Sequence, residues 1–496
     1  MSVPLPDTVD LDQVRIDPAW ALKLPAAIAM RRLALPLCVV GGELIVAFGD
    51  APDPQTLEAV SRAASRPVRT VKADAAQLRK HLLRVYGDTR AAPAAAARPA
   101  IPAAGGGEDA VALADDILRA ASLRQASDIH VDPERDGLRV RFRVDGLIEE
   151  FMRLPTSAQP ALCSRIKVMA GLDIAERRAP QDGAFVWRLP GAAERTPADV
   201  RVATLPVRFG EKITLRLLES GRDRLTLPHL GLSQENLAQF ERILDRPHGL
   251  VLLTGPTGSG KTTTLYAAIR CLLDRAPLNI LTVEDPVEYE IAGISQVEVD
   301  NGDKVNFSKA LRSLLRHDPD VVMIGEIRDA ESLDTAVKAA LTGHLVLSTL
   351  HTNDAVSAVT RLVDMGLAPH LIAATLRLSA AQRLVRRLCP VCREPAAISA
   401  AEAAALDRPA VAGQTGYRSC GCLACAGRGF RGRTGLFEFL IPDAAIAALL
   451  AAAVPAGELA AKLRADGVPS LADDAVRKVL DGETTVDEIL KTAADC

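Results

Sequence analysis

Apolar residues in this chain fall into short, sharply bounded runs that alternate with stretches of helical spacing. Leu250-Val-Leu-Leu-Thr254 has the pattern of a buried strand, and Thr263-Thr-Leu-Tyr-Ala-Ala-Ile-Arg270 that of a helix. Further strand-like runs occur at Ile280–Val283, Val321–Ile324 and Leu345–Leu350. Strand–helix alternation across residues 231–388 predicts a mainly parallel sheet with flanking helices. Residues 15–86 alternate runs such as Leu35–Val40 and Leu44–Phe48 with helical stretches, predicting a small α/β module. A helix over Ala110–Leu123 opens another module, followed by strands around Asp128–Val131 and Leu138–Val144 and a turn at Asp145-Gly146. In Leu138–Val144 the alternation puts Arg139, Arg141 and Arg143 on one face and Leu138, Val140, Phe142 and Val144 on the other. That basic face is either a solvated sheet surface or a nucleic-acid surface. Residues 91–107 are almost entirely Ala, Pro and Gly and cannot anchor a core, predicting a linker. Residues 441–496 are helical by composition, and no repeat of fixed period is present. The expected divisions are a docking module (1–88), linker (89–108), second α/β module (109–230), nucleotide-binding domain (231–388), cysteine region (389–435) and helical end (436–496).

Composition narrows the function classes. A chain of 496 residues with 48% hydrophobic and 24% charged residues is globular and multidomain. Aromatic residues make up 3%, which disfavours single-strand binding by base stacking. The net charge of −3 supplies no global field toward DNA or membranes. Residues 1–10 lack the basic start and apolar core of a signal peptide, and the Ala-rich stretch 444–456 is too short to span a bilayer. A soluble intracellular protein that meets any membrane through a partner is expected.

The decisive motif lies between the first strand–helix pair. Gly255-Pro256-Thr257-Gly258-Ser259-Gly260-Lys261-Thr262 fits the phosphate-binding pattern G-x-x-x-x-G-K-[ST], and Thr263 continues it. The glycines let the backbone wrap a phosphate, and the N–H groups of the helix start supply positive potential. Lys261 can reach the outer phosphates and the Thr262 hydroxyl can ligate Mg²⁺, so ATP is the expected ligand. Hydrolysis also needs a carboxylate near the attacking water. Glu326 follows the strand Val321–Ile324, and Glu284 and Asp285 follow Ile280–Val283, each at the strand end where parallel sheets bind ligands. Glu326 is the first choice for polarising water. His344 and His351 bracket one strand and are either capped polar groups or site residues. Arg201, Arg216, Arg312 and Arg316 are the candidate cations for the γ-phosphate; the last two, four apart, share a helix face.

Five of nine cysteines lie between positions 389 and 425. Cys389-Pro-Val-Cys392 and Cys422-Leu-Ala-Cys425 are paired C-x-x-C knuckles, the donor set of a closed, structural Zn²⁺ site. Cys420 is an alternative to Cys422, and Cys38, Cys163, Cys271 and Cys496 are read as ordinary thiols.

From Asp109 onward the chain resembles the secretion ATPases of the type II secretion and type IV pilus superfamily. The resemblance rests on Ser127-Asp-Ile-His130, Arg143-Val-Asp-Gly146, Pro180-Gln-Asp-Gly183, Gly210-Glu-Lys212, the phosphate loop, Thr282–Glu288, Asp318–Asp329, Leu341–Asp354 and Ala381–Cys389, in the family's order. It implies an α/β fold: a RecA-like P-loop ATPase domain, a smaller PAS-like N-terminal module, a zinc-binding insertion and a helical C-terminal part. It makes Glu326 the catalytic glutamate and the four arginines nucleotide-contacting or intersubunit residues. It also implies a homo-hexamer, with the N-terminal arm on an inner-membrane secretion-platform protein, driving pseudopilus assembly and export of folded proteins across the outer membrane. A pilus extension ATPase is the nearest alternative and a DNA-translocating motor the next; no specific nucleic acid is expected. Ala184 stands where the family has an arginine, and residues 1–86 lack the Arg-Leu-Gly-type signature of related cyclic-di-GMP modules, so no binding of that nucleotide is expected there.

Overall fold

The computed structural model describes residues 6–52, 54–87, 107–188, 198–218, 226–299 and 307–494. The expected linker 89–108 lies outside them except for its last two residues, which open the helix Gly107–Arg124. The chain divides into two units: residues 1–222, 388–394 and 418–432 form the first, and 223–387, 395–417 and 433–496 the second. Both knuckles therefore fold with the first unit, while residues 395–417 between them belong to the second.

In the first unit, a four-stranded sheet runs in the order Thr8–Val9, Val68–Ala73, Glu43–Phe48, Ala34–Val40. Helices Pro54–Ala64 and Ala75–Tyr86 accompany it, the latter capped by Asp74, whose carboxylate accepts the N–H groups of Ala76 and Gln77. Leu423, between the second pair of knuckle cysteines, packs into this module's core, and its carbonyl accepts the Arg15 N–H at 3.1 Å. A six-stranded antiparallel sheet follows, ordered Leu147–Leu154, Leu138–Val144, Ala126–Pro133, Gly210–Leu218, Ala198–Val207, Gln181–Trp187. Asp145 and Gly146 both take positive φ, the two-residue turn that matches strand twist. The alternation read in Leu138–Val144 is present. Leu138, Val140, Phe142 and Val144 are buried, worth roughly 1.5–3 kcal/mol for each large side chain, and Phe142 stacks on Phe151 at 4.5 Å. The opposite arginines meet carboxylates: Arg139 with Glu134, Arg141 with Asp132 at 2.8 Å, Arg143 with Asp128 at 3.8 Å. This favours the solvated, ion-paired face over a nucleic-acid surface.

The second unit is built on a seven-stranded sheet ordered Ser295–Glu298, Ile280–Glu284, Val321–Ile324, Leu345–Leu350, Gly249–Thr254, Leu376–Leu388, Phe430–Leu440. The pairings among its first six strands are parallel, as the strand–helix alternation predicts. Central strands Gly249–Thr254 and Leu345–Leu350 are buried throughout. Parallel strands covered on both faces need such continuous apolar runs. The C-terminal region forms four helices: Ala444–Ala451, Ala456–Ala465, Leu471–Leu480 and Val486–Ala494. Among the described residues no helix is long and apolar enough to cross a membrane.

Candidate active site and metal centre

The phosphate loop leaves the sheet at Thr254 and enters the helix Lys261–Arg275. Gly255 has φ +147° and a Cβ there would fall 2.4 Å from the Gln382 carbonyl, so no side chain fits. Gly260, φ +88°, precedes the helix in the left-handed region. Lys261 bends back over the loop, its Nζ donating to the carbonyls of Gly255 at 2.7 Å and Pro256 at 3.1 Å. Burial lowers its pKa to about 8, assisted by the nearby Arg383 charge and opposed by the Glu326 carboxylate. The buried Ser259 hydroxyl has no hydrogen-bond partner among the described residues. A buried lysine at the start of a helix, beside an unanswered hydroxyl, fits a polyphosphate anion.

Four groups converge at the adjoining strand ends. His351 Nε2 lies 2.9 Å from Glu326 Oε2. Arg328 bonds Glu326 and also reaches Asp285 at 3.2 Å. Burial alone would raise the Glu326 pKa, but hydrogen bonds from His351 and Arg328 prevail and hold it below the ordinary carboxylate value. The Thr254 hydroxyl donates to the Thr352 carbonyl at 2.9 Å and accepts the Thr352 N–H at 3.0 Å, tying the loop after His351 to the start of the phosphate loop.

Other candidates occupy different places. Glu284 is 2% exposed and fully engaged: it accepts from Tyr266, from Thr282 at 2.6 Å and from Gln296 at 3.1 Å. Its carboxylate thus braces the sheet within this chain. His344 sits before the first residue of Leu345–Leu350, with Nδ1 3.0 Å from the Ala339 carbonyl. The strand between it and His351, seven residue steps at ~3.3 Å each, separates the two by about 23 Å. Arg312 pairs with Glu331 at 3.4 Å, and Arg316 donates to the Arg312 carbonyl at 3.2 Å. The helix ends at Leu314, so Arg316 lies in the following turn and the shared helix face expected for the pair is not formed. Arg201 and Arg216 belong to the first unit, where they are cross-strand partners; Arg216 binds Asp128 at 3.1 Å. Arg328 and the Thr254–Thr352 tie were not singled out from the sequence. The position of Arg328 two residues after Glu326, at a strand end, was the available signal.

In the first unit the four knuckle cysteines form one buried cluster with all sulfurs within 4.8 Å. Cys389–Cys422 and Cys392–Cys425 are 3.8 Å apart and Cys422–Cys425 3.9 Å. A tetrahedron with metal–sulfur bonds of ~2.3 Å has edges of about 3.8 Å, so the cluster has the dimensions of a metal site. Gly421 N–H points to Cys392 Sγ at 3.3 Å, and Cys422 and Gly429 N–H groups to Cys425 Sγ at 3.2 and 3.1 Å. Contacts from the Cys389 and Cys422 thiols, then these N–H groups, lower the Cys425 pKa and favour its thiolate. Cys420 is exposed and outside the cluster. Burial pushes the Cys38 and Cys163 thiols up to about 12, as expected of inert core groups.

Residues 106–491 match the family described as type II/IV secretion system protein. The chain belongs to that family. Residues 1–92 match the MshEN domain. A type II secretion system protein E of Pseudomonas aeruginosa is 46% identical over 78% of this chain and 76% of its own length. The type IV pilus assembly ATPase PilB of Myxococcus xanthus is 40% identical over 98% of this chain and 88% of its own. Among solved structures, the pilus retraction motor PilT with bound ADP is 27% identical, with a TM-score of 0.53 over 76% of this chain and 96% of its own. The Legionella pneumophila ATPase DotB, 23% identical, shares the fold with a TM-score of 0.58 over 78% of this chain and 96% of that one. As a member of this family the chain is an ATPase with a RecA-like fold.

Proposed function

We propose that this secretion ATPase is the ATP-hydrolysing motor of a type II secretion system, driving pseudopilus assembly and export of folded proteins across the outer membrane. The observation that carries this reading is the buried Lys261 loop facing a Glu326 carboxylate kept ionised by His351 and Arg328, in a chain 46% identical to a type II secretion protein E. Lys261 and the loop N–H groups hold the β- and γ-phosphates of ATP, and the Thr262 hydroxyl would hold Mg²⁺, which would supply positive charge at the phosphates. Glu326 orients and deprotonates the attacking water, its carboxylate fixed by His351. Asp285 anchors Arg328, and Glu284 and His344 support the fold. Arg201, Arg216, Arg312 and Arg316 serve at the γ-phosphate or between subunits of a homo-hexamer. The Cys389–Cys392–Cys422–Cys425 cluster takes Zn²⁺ as a structural ion, with no open coordination position for chemistry. The N-terminal module binds an inner-membrane platform protein, which gives the cytoplasmic ATPase an indirect membrane association.

The pilus extension reading has a specific support: the PilB match runs through the N-terminal arm, whereas the protein E match covers 78% of the chain. The test is a deletion in the source bacterium complemented with the parent gene or with Glu326→Gln. Loss of exported enzymes with surface pili intact supports the secretion reading. Loss of pili with export intact overturns it in favour of the pilus motor.

A further inference from the structure

The strand Leu376–Leu388 lies parallel to the strand that feeds the phosphate loop, with Ala381 opposite Thr254. Its next two residues, Gln382 and Arg383, are 2% and 5% exposed, and each grips a different loop of the site. The Gln382 amide donates to the Ser259 carbonyl at 2.9 Å and accepts the Thr264 hydroxyl at 2.8 Å. In a planar trans peptide the carbonyl and the next N–H point opposite ways. Holding the Ser259 carbonyl toward Gln382 therefore aims the Gly260 N–H away from Gln382. A Cβ on Gly260 would lie 2.9 Å from Gln382 Nε2, so the glycine permits this close approach.

Arg383 acts on the other loop. Its Nη2 donates to the Asn353 carbonyl at 2.8 Å and its Nη1 to the Gln382 carbonyl at 3.2 Å. Asn353 is two residues beyond His351, whose ring holds Glu326. The guanidinium thus ties the His351 loop to the strand bearing Gln382. A lysine keeps the charge but cannot span two carbonyls with one rigid fork.

We propose that Gln382 and Arg383 are positioning residues with divided roles: Gln382 sets the phosphate-loop N–H groups for nucleotide binding, and Arg383 sets the His351 loop, and through it Glu326, for cleavage. The proposal rests on the ATPase reading of this site. It predicts opposite kinetic signatures for two adjacent residues. In full-length protein, Gln382→Leu raises the Kd and KM for Mg·ATP about tenfold and changes kcat less than about threefold, as expected where ground-state and transition-state binding fall equally. Arg383→Lys lowers kcat about tenfold and leaves Kd within about twofold. Thr264→Val, which removes one of the two Gln382 contacts, gives a smaller rise in Kd and covers the case in which Gln382→Leu fails to fold. Circular dichroism melts and metal content establish that each variant is folded. If the parent itself does not hydrolyse ATP, the underlying reading fails. If the parent is active but the folded variants show any other partition, including parallel losses or changes below twofold in both, the division of roles is overturned.

Discussion

The lysine of the phosphate loop makes ATP binding pH-dependent in a range where most lysines are silent. Lys261 is 8% exposed, and its amine has a pKa lowered to about 8, chiefly by burial. A polyphosphate needs the charged form. At pH 7 about nine-tenths of Lys261 is charged in the free protein, and at pH 9 about one-tenth, so affinity falls roughly tenfold, or ~1.4 kcal/mol, between them. The sign follows from linkage: bound phosphate raises the lysine pKa, so binding takes up a proton and weakens as pH rises through 8. An ordinary lysine near 10.4 would change affinity by only a few per cent over that range. Isothermal titration with a non-hydrolysable Mg·ATP analogue at pH 7, 8 and 9, in buffers of different ionisation enthalpy, reads both the affinity and the proton uptake. Constant affinity from pH 7 to 9 with no proton uptake at pH 8 would refute the argument that burial controls this amine.

Two further outcomes follow from the same geometry. Replacing His351 by Asn removes a hydrogen bond that holds the Glu326 pKa down, so that pKa rises and the acid limb of the kcat–pH profile moves to higher pH; an unmoved limb contradicts the pairing. Stripping metal from the four-cysteine cluster, or Cys392→Ser, lowers the melting midpoint of the first unit by several degrees and makes it more sensitive to protease, since site formation is coupled to folding. Unchanged stability after metal loss verified by mass spectrometry rules out a structural ion.

The features legible in the sequence were those whose physics is local. The phosphate loop needs glycines at fixed positions because Gly255 and Gly260 take backbone angles or approaches closed to other residues. The knuckles are local too, because two cysteines three apart place both sulfurs on one turn. Glu284 shows where position along a strand misleads. It ends a strand at the ligand-binding edge, yet its register with Thr282, two residues earlier, turns it to the same face, where Thr282, Gln296 and Tyr266 consume its oxygens. His344 precedes its strand and His351 follows it; only the parallel order of the sheet decides which stands beside the phosphate loop. Gln382 is separated from Ser259 by 123 positions, and Arg383 from Asn353 by 30, so the stretch Ala381–Cys389, though part of the family resemblance, does not tell which loops the two side chains grip. Their roles emerge only when the parallel sheet sets Ala381 beside Thr254.

In the proposed mechanism Glu326 activates the water that cleaves a triphosphate held by the Lys261 loop. The most direct measurement compares ATP binding and steady-state phosphate release for the parent and for Glu326→Gln, both full length. In Glu326→Gln, Mg·ATP affinity stays within about threefold of the parent and turnover falls by at least ~100-fold, the range for loss of a general base. Turnover at the parent rate in that variant would contradict this mechanism.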